Sequence, residues 1–171
     1  MEFLIRVAIP NDAAALETYY ASLLKQTRQR FAPHPFTKDV LQEMLQQEQL
    51  YKLLIALDST TDKIVAYFIA RLQMFPYDVE RWNRYGVTLN DHYFALLAPS
   101  VADAYQSRGL GKRLLEFMKS NLKEMGRKHL ILWGGVQATN ANALAFYEKN
   151  GFKYAGKFEY EGLNIDLIAN L

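Results

Sequence analysis

The sequence predicts a layered α/β or α+β domain with a mixed sheet of about seven strands and about four helices. Three observations support this prediction. Half of the 171 residues are hydrophobic and 22% are charged, which is typical of a globular chain. Strand-like apolar runs are interspersed with stretches of helical periodicity. No repeat, low-complexity tract or Pro/Gly/Ser-rich linker divides the chain, so we expect one domain over residues 1–171.

The first half of the chain is predicted to form a strand, two helices and a hairpin. Residues 2–9 have the pattern of a strand, and Asn11 can cap the helix that follows. The apolar face of that helix comprises Leu16, Tyr19, Tyr20, Leu23 and Leu24. Thr37 suits the N-cap of a second helix. Segments 51–57 and 63–73 are strand-like and are joined by a short polar turn, which predicts a hairpin.

The second half is predicted to add an irregular segment, four strands and two helices. Residues 74–92 are rich in aromatic side chains and are expected to be irregular, and 92–101 have the pattern of a strand with a proline in it. The clearest amphipathic helix has an apolar stripe formed by Leu110, Leu114, Leu115, Met118, Leu122 and Met125. The remaining elements are a strand at 129–135, a helix from Asn140 to Asn150, and strands at about 152–159 and 163–169.

Charge and residue usage argue against several classes of function. The net charge is only +2, which does not suggest nucleic-acid binding. There is no cysteine, and the three histidines are far apart in sequence, so we expect neither thiol chemistry nor a metal centre. The longest apolar stretch, Ile64–Ala70, is far short of the roughly 20 residues that span a bilayer. With no signal peptide at its start, the chain is expected to be cytoplasmic and to have no membrane partner.

The stretch Val101–Lys112, VADAYQSRGLGK, is the most informative part of the chain. A strand ends there, a short loop with Gly109 and Gly111 follows, and a helix begins. The N-terminus of a helix has unpaired N–H groups and partial positive charge, which favour an anion. Glycines allow the backbone to come close to that anion. The stretch therefore has the features of a phosphate or pyrophosphate cradle.

Two common phosphate-binding motifs do not match this loop. A Walker A loop requires a glycine where Gln106 stands and a Ser or Thr where Arg113 stands. A dinucleotide-binding GxGxxG motif requires a third glycine where Leu114 stands. On these residues alone, a strand–helix turn with glycine for tight packing remains open.

Two motifs together resemble the signatures of the GNAT superfamily, the acyl-CoA-dependent N-acetyltransferases. Residues 106–111, QSRGLG, resemble Gln/Arg-x-x-Gly-x-Gly/Ala. Residues 140–152, NANALAFYEKNGF, resemble Asn-x-x-Ala-x-x-Phe/Leu-Tyr-Glu-x-x-Gly-Phe. The resemblance implies a mostly antiparallel GNAT-like sheet that splays between its fourth and fifth strands. It also implies acetyl-CoA as the acetyl donor and coenzyme A as a product.

The resemblance assigns most of the cofactor contacts to backbone groups. The backbone of Val101 and of Asp103 would bond the pantetheine arm. The pyrophosphate would be held around the loop by Arg108, Gly109, Leu110, Gly111 and Lys112. Asn140 would contact the arm, although a helix cap alone explains it equally well. Ala143 is small, which would allow the cofactor to lie against its helix.

The resemblance makes Tyr147 the catalytic acid and a cofactor contact. In related enzymes the tyrosine at this position protonates the leaving thiolate, and a phenol with a pKa of about 10 is not ionised at neutral pH. A structural aromatic at the edge of the core is the alternative. Some family members place a glutamate six residues before the valine, but this chain has Ala95 there. His92, acting through water, is the candidate base. Asp91, Asp78 and Glu80 are alternatives, and a solvated surface position would explain each of the four as well. The Val101 N–H would polarise the carbonyl.

The aromatic segment 74–92 is the candidate acceptor site, although a packed surface loop or a dimer contact would explain it too. The candidate acceptor-binding residues are Tyr77, Asp78, Trp82 and Tyr85. The sequence thus predicts acetyl transfer to a primary amine of a small molecule or peptide, by direct attack in a ternary complex, in a monomer or homodimer. An acyl-CoA-binding sensor or partner domain without turnover is the alternative, because Ala95 replaces the glutamate.

Overall fold

A computed structural model describes residues 2–171 as a mixed, mostly antiparallel sheet with helices. The strand order is β1-β2-β3-β4-β5-β8-β6, and β7 also pairs with β8. The strands are β1 Phe3–Val7, β2 Tyr51–Asp58, β3 Ile64–Arg71, β4 Phe94–Val101, β5 His129–Leu132, β6 Val136–Gln137, β7 Lys153–Glu159 and β8 Leu163–Asn170. The predicted fold class is therefore confirmed.

Within residues 2–171 the sheet is accompanied by six α-helices and two short 3₁₀ helices. The α-helices are α1 Ala13–Ser22, α2 Lys25–Arg30, α3 Lys38–Gln46, α4 Pro76–Asn83, α5 Leu110–Glu124 and α6 Ala141–Lys149. The 3₁₀ helices are Pro10–Asp12 and Asp103–Tyr105. None of the helices within residues 2–171 combines the length and apolar composition that a bilayer span requires.

Three short elements account for the difference from the predicted counts. Segment 74–92 is not irregular throughout, because α4 forms with a proline at its first helical position. Helix α2 buries none of its side chains, so it has no apolar stripe to reveal it. Strand β6 has only two residues, which is too few for a period to be recognised.

The chain divides into two compact units, and the first comprises the residues up to Ala70 together with Ala98–Met118. Strands β1 and β2 pair antiparallel in this unit. The predicted β2–β3 hairpin is present, and the Asp58 N–H donates to the Lys63 carbonyl at 3.0 Å across its turn. Helices α1 and α3 contribute fully buried leucines to the core of the unit.

Two details of the first helix differ from the prediction. Leu24 is 63% exposed because α1 ends before it. Asn11 lies inside a 3₁₀ turn, and Asp12 takes the N-cap position of α1 instead. The carboxylate of Asp12 accepts from the Ile9 N–H at 2.8 Å and pairs with Arg6 at 2.7 Å, which fixes the turn between β1 and α1.

The second unit comprises Arg71–Leu97 and Lys119–Leu171. Strand β4 pairs parallel with β5, from Phe94–His129 to Leu97–Leu132, so this ladder ends before β4 does. Strands β5, β6 and β7 each pair antiparallel with β8. A core cluster of the unit is formed by Trp82, Leu89, Phe94, Leu96 and Ile131.

Candidate functional site

The loop between β4 and α5 has an alternating backbone conformation. Ser107 and Gly109 have positive φ angles of 59° and 78°, whereas Arg108 between them does not. When successive residues alternate between right-handed and left-handed backbone conformations, their N–H groups point to the same side and form a concave surface. Such a surface binds anions. The backbone of the loop is compatible with the predicted phosphate cradle, which stays a prediction.

The start of α5 provides the remaining amides of this loop. The helix begins at Leu110, and the Arg113 N–H donates to the Gly109 carbonyl at 3.2 Å. The N–H groups of residues 109–112 thus come before the first i→i−4 bond of the helix. Such groups have no partner within the helix, and the helix dipole favours an anion beside them.

Hydrogen bonds hold both ends of the segment before the loop. The side-chain amide of Gln106 donates to the Val101 carbonyl at 3.0 Å. The Asp103 carboxylate accepts from the Leu24 N–H at 3.0 Å and from the Thr27 hydroxyl. Asp103 therefore caps α2 from a distance of 79 residues along the chain, a contact that no local sequence signal predicts.

Asn140 and Ala143 lie at the start of α6 in the second unit. The side-chain carbonyl of Asn140 accepts from the Ala143 N–H at 3.3 Å, so Asn140 is a helix N-cap. Ala143 itself is half-buried. The capping role was one of the two explanations for Asn140, and its contact with a cofactor stays a prediction.

Tyr147 lies in the last turn of α6 and is only 6% exposed. Its ring meets Phe146 and Phe152 edge-on, with centroids at 5.4 and 5.1 Å. Burial raises the pKa of Tyr147 above its ordinary value. The phenol therefore stays protonated at neutral pH, which is the state a proton donor requires.

The two positions considered for the catalytic base, 95 and 92, differ in their exposure to solvent. Ala95 is fully buried in β4. His92 is exposed and lies in the turn before β4, not on the strand as predicted. The strand begins only at Phe94 because the Asn90 side chain accepts from the His92 N–H at 3.1 Å and stabilises a turn there.

A buried ion cluster lies between α4 and β8. The Arg81 Nε donates to Asp166 Oδ2 at 2.7 Å, and the guanidinium stacks over Phe158 at 4.0 Å. Arg81 Nη2 is also 2.7 Å from Asp78 Oδ1, in a close ion pair whose angles are not those of an aligned hydrogen bond. Burial raises the pKa of Asp78, although the attraction of Arg81 opposes this.

Tyr85 joins this cluster from the end of α4. Its hydroxyl donates to Asp166 Oδ2 at 3.0 Å. Its ring covers Gly156, where an added Cβ would lie 2.3 Å from ring atoms. Burial, followed by the Asp166 carboxylate, raises the pKa of Tyr85 to about 12. Gly156 is thus required for the position of this tyrosine.

A cleft of about 380 Å³ opens beside α4 and β7. Its lining comprises Tyr77, Arg81, Arg84, Tyr85, Lys157, Phe158 and Glu159. Two of the predicted acceptor residues, Tyr77 and Tyr85, are in this lining. The expectation for the other two is corrected: Asp78 and Trp82 are at most 1% exposed because they share the inward face of α4 at i, i+4 spacing.

Comparison with known proteins is consistent with this architecture. The model of the Acetyltransferase (GNAT) family matches residues 16–152. The chain is 33% identical over 117 residues to the [Ribosomal protein bS18]-alanine N-acetyltransferase of Escherichia coli K12, which covers 56% of this chain and 78% of the relative.

Two solved structures show the same fold at low sequence identity. The GNAT domain of S. lividans PAT has a TM-score of 0.77 and 18% identity, covering 98% of this chain and 89% of that chain. The PaiA N-acetyltransferase of Thermoplasma acidophilum, in complex with coenzyme A, has a TM-score of 0.72 and 16% identity, covering 100% of both chains.

Proposed function

Because this chain belongs to the GNAT acetyltransferase family, we propose that it transfers the acetyl group of acetyl-CoA to the N-terminal α-amine of a protein or peptide. Family membership makes the protein an acyltransferase enzyme. The donor is supported by the anion-binding geometry after β4 and by the likeness to a fold solved with coenzyme A. The acceptor class is that named for the Escherichia coli relative, an alanine of a ribosomal protein.

The donor is proposed to be held mainly by backbone groups. The amides of residues 108–112 hold the diphosphate, supported by the positive φ of Ser107 and Gly109. The backbone of Val101 and Asp103 binds the pantetheine arm, and Asn140 and Ala143 contact the cofactor from the start of α6. Strand β4 continues to Val101, beyond the end of its ladder with β5 at Leu97, which supports the strand-like pairing that this arm requires.

The acceptor proposal rests on Ala95. A lysine side chain has a pKa of about 10.4, so only about 0.1% of it is neutral at pH 7.5, whereas an α-amine with a pKa near 7.8 is about one-third neutral. A lysine acceptor therefore depends on a strong base beside it. Ala95 is fully buried and carries no carboxylate, so the chain is better suited to an amine that arrives partly deprotonated.

The proposed reaction is a direct attack. The amine nitrogen forms a bond to the thioester carbonyl carbon, the carbon–sulfur bond breaks, and Tyr147 donates its proton to the departing sulfur. The amine's own proton passes through water to His92, which is exposed and accessible to solvent. The Val101 N–H stabilises the charge on the carbonyl oxygen. The raised pKa of Tyr147 supports its role because the acid must be protonated beforehand.

The cleft beside α4 is proposed to receive the acceptor chain. Its volume of about 380 Å³ is within the usual range of ligand sites, about 300–1,000 Å³. Tyr77 and Tyr85 would contact the acceptor directly. Trp82 and Asp78 would act from beneath, by fixing α4 and Arg81.

Two matched peptides test this proposal. One begins with a free alanine and contains no lysine. The other has a blocked N-terminus and one residue replaced by an internal lysine, and it is otherwise identical. We expect thiol release and a mass increase of one acetyl group with the first peptide only. Equal acetylation of the second peptide would refute the acceptor assignment. Thermal stabilisation by acetyl-CoA, with no release of free coenzyme A thiol in the presence of any amine, would favour the binding domain without turnover.

The kinetic pattern tests the ternary complex separately. Initial rates are measured at several fixed concentrations of the peptide while acetyl-CoA is varied. Intersecting lines in the double-reciprocal plot are expected for direct attack, and parallel lines would indicate a covalent acyl-enzyme instead.

A further inference from the structure

We propose that the hydroxyl of Tyr105, held by the carboxylate of Asp58, positions the loop of residues 106–109 to receive the diphosphate of the acetyl donor. This loop between β4 and α5 is called the phosphate loop below. The inference rests on the proposed function because it concerns the same loop. Tyr105 ends the 3₁₀ turn Asp103–Tyr105, immediately before that loop begins. Its hydroxyl donates to Asp58 Oδ2 at 2.8 Å, and the two residues are 47 positions apart in sequence.

Asp58 is a fixed anchor. It is the last residue of β2 and is 4% exposed. Its Oδ1 accepts from the Thr60 N–H at 2.8 Å, so the β2–β3 turn sets the orientation of the carboxylate. The bonds from Thr60, and then from Tyr105, lower the pKa of Asp58. The group therefore stays ionised at neutral pH and accepts a strong, charge-assisted hydrogen bond.

The ring of Tyr105 connects this anchor to the loop itself. The guanidinium of Arg108 lies over the ring, 5.9 Å from its centroid, within the range of a cation–π contact. Phe3 of β1 meets the same ring edge-on at 6.0 Å. Tyr105 therefore touches the β-hairpin with its hydroxyl and a residue of the phosphate loop with its ring.

The loop requires such an anchor because its conformation is unfavourable on its own. Ser107 has a φ of 59°, which L residues adopt rarely and keep only when the surrounding structure imposes it. Residues 106–109 are exposed, so packing does not impose it. Asp103 ties one end of the 3₁₀ turn to α2 and Tyr105 ties the other to Asp58. Together with the hydrogen bond from the Gln106 side chain to the Val101 carbonyl, these contacts fix the backbone that leads into the strained loop.

The consequence is a preorganised diphosphate site. When only a fraction of molecules has the competent loop, the apparent dissociation constant rises by the inverse of that fraction. Removing the hydroxyl of Tyr105 releases one end of the turn. The effect is therefore expected in the affinity for the diphosphate, not in the chemical step.

Two acetyl donors distinguish this role from general destabilisation. Acetyl-CoA contains the diphosphate, whereas S-acetyl-pantetheine lacks it. Tyr105→Phe keeps the ring contacts and removes only the hydroxyl. We expect the KM for acetyl-CoA to rise about fivefold to tenfold with kcat unchanged, as for a loop that is competent in one molecule in five to ten. The kcat/KM for S-acetyl-pantetheine should not change.

Asp58→Asn replaces the charged group that accepts the hydrogen bond of the Tyr105 hydroxyl by a neutral amide. It is expected to raise the KM for acetyl-CoA to a smaller extent than Tyr105→Phe. The double variant should show no more loss than Tyr105→Phe alone, because the two residues act through one bond. Tyr67→Phe is the matched control, since it removes another tyrosine hydroxyl of the same unit, the one bonded to His34 at 3.0 Å. We expect it to lower the melting temperature and leave the KM for acetyl-CoA unchanged.

The inference is overturned if Tyr105→Phe leaves the KM for acetyl-CoA unchanged, or if it lowers kcat/KM equally for both donors. An absence of turnover in the unaltered protein would count against the proposed function instead. In that case calorimetric binding of coenzyme A replaces the KM, and the same fivefold to tenfold loss is expected. Unchanged calorimetric affinity would again overturn the inference.

Discussion

Replacement of Gly109 by alanine is the most informative perturbation of the phosphate loop. Gly109 has a φ of +78°, and an added Cβ would meet no atom within 4 Å. The substitution therefore introduces no clash. Its cost is the left-handed backbone conformation of an L residue, about 1–2 kcal/mol.

The loop can avoid this cost by giving up the positive φ, but its amides then no longer converge. Acetyl-CoA would have to restore the strained conformation on binding. The dissociation constant should therefore rise by the equivalent of 1–2 kcal/mol, about 5-fold to 30-fold. The melting temperature should decrease only slightly, since no core contact is lost.

Gly126→Ala is a matched control because the same strain occurs outside the loop. Gly126 follows α5, has a φ of +80°, and also has no atom within 4 Å of an added Cβ. Urea unfolding should show a loss of about 1–2 kcal/mol for Gly126→Ala and a smaller loss for Gly109→Ala, because the exposed loop can relax in the free protein. Calorimetry should show weaker binding of coenzyme A only for Gly109→Ala. Normal affinity in Gly109→Ala, or equal weakening in both variants, would refute the reasoning.

The remaining predictions concern catalysis, the acceptor cleft and stability. Tyr147→Phe should lower kcat by about 10²–10⁴-fold with little change in coenzyme A affinity by calorimetry, and equal loss of both would exclude its role as an acid. His92→Gln should reduce kcat/KM more at pH 6.5 than at pH 8.5, because the α-amine is already neutral at high pH; a loss independent of pH would contradict this. Gly156→Ala displaces the Tyr85 ring, which lies 2.3 Å from the new Cβ, so initial rates should show a higher KM for the peptide and an unchanged KM for acetyl-CoA. If both KM values rise together, the cleft is not specific to the acceptor. Burial lowers the pKa of His34, so the unfolded chain binds more protons below pH 6.5 and the melting temperature should decrease as the pH falls through that value. The dependence should be weaker in His34→Gln, and an equal dependence in both proteins would rule His34 out as its source.

The long periodic elements of the fold could be predicted from the sequence. The apolar stripe of α5 from Leu110 to Leu122, the β2–β3 hairpin and the N-cap position of Thr37 before α3 are all present. Met125 was predicted to belong to the same stripe, but it lies beyond the end of α5 and is 43% exposed. The family resemblance is also confirmed by the match over residues 16–152. Helix α4 was not predicted because the segment was interpreted as irregular from its dense aromatic residues, and Pro76, which is favourable at the first helical position, was not used as a start signal.

The direction in which a side chain points was harder to predict than its chemistry. Asp78 and Trp82 have the residue types of an acceptor site, but their spacing puts both on the buried face of α4. The bond between Tyr105 and Asp58 joins residues distant in sequence, so no local pattern reveals it. Sequence motifs are the basis for proposing a phosphate site in this loop, whereas the contacts that hold the loop required the structure.

Amide NMR shifts on titration with coenzyme A test most directly whether the loop after β4 grips the donor's diphosphate. We expect the N–H signals of Gly109, Gly111 and Lys112 to move strongly as the ligand is added, because hydrogen bonds to phosphate oxygens deshield amide protons. Pantetheine, which contains no phosphate, should leave them nearly unmoved. Unchanged loop signals at saturating coenzyme A would contradict the assignment of this loop as the donor site.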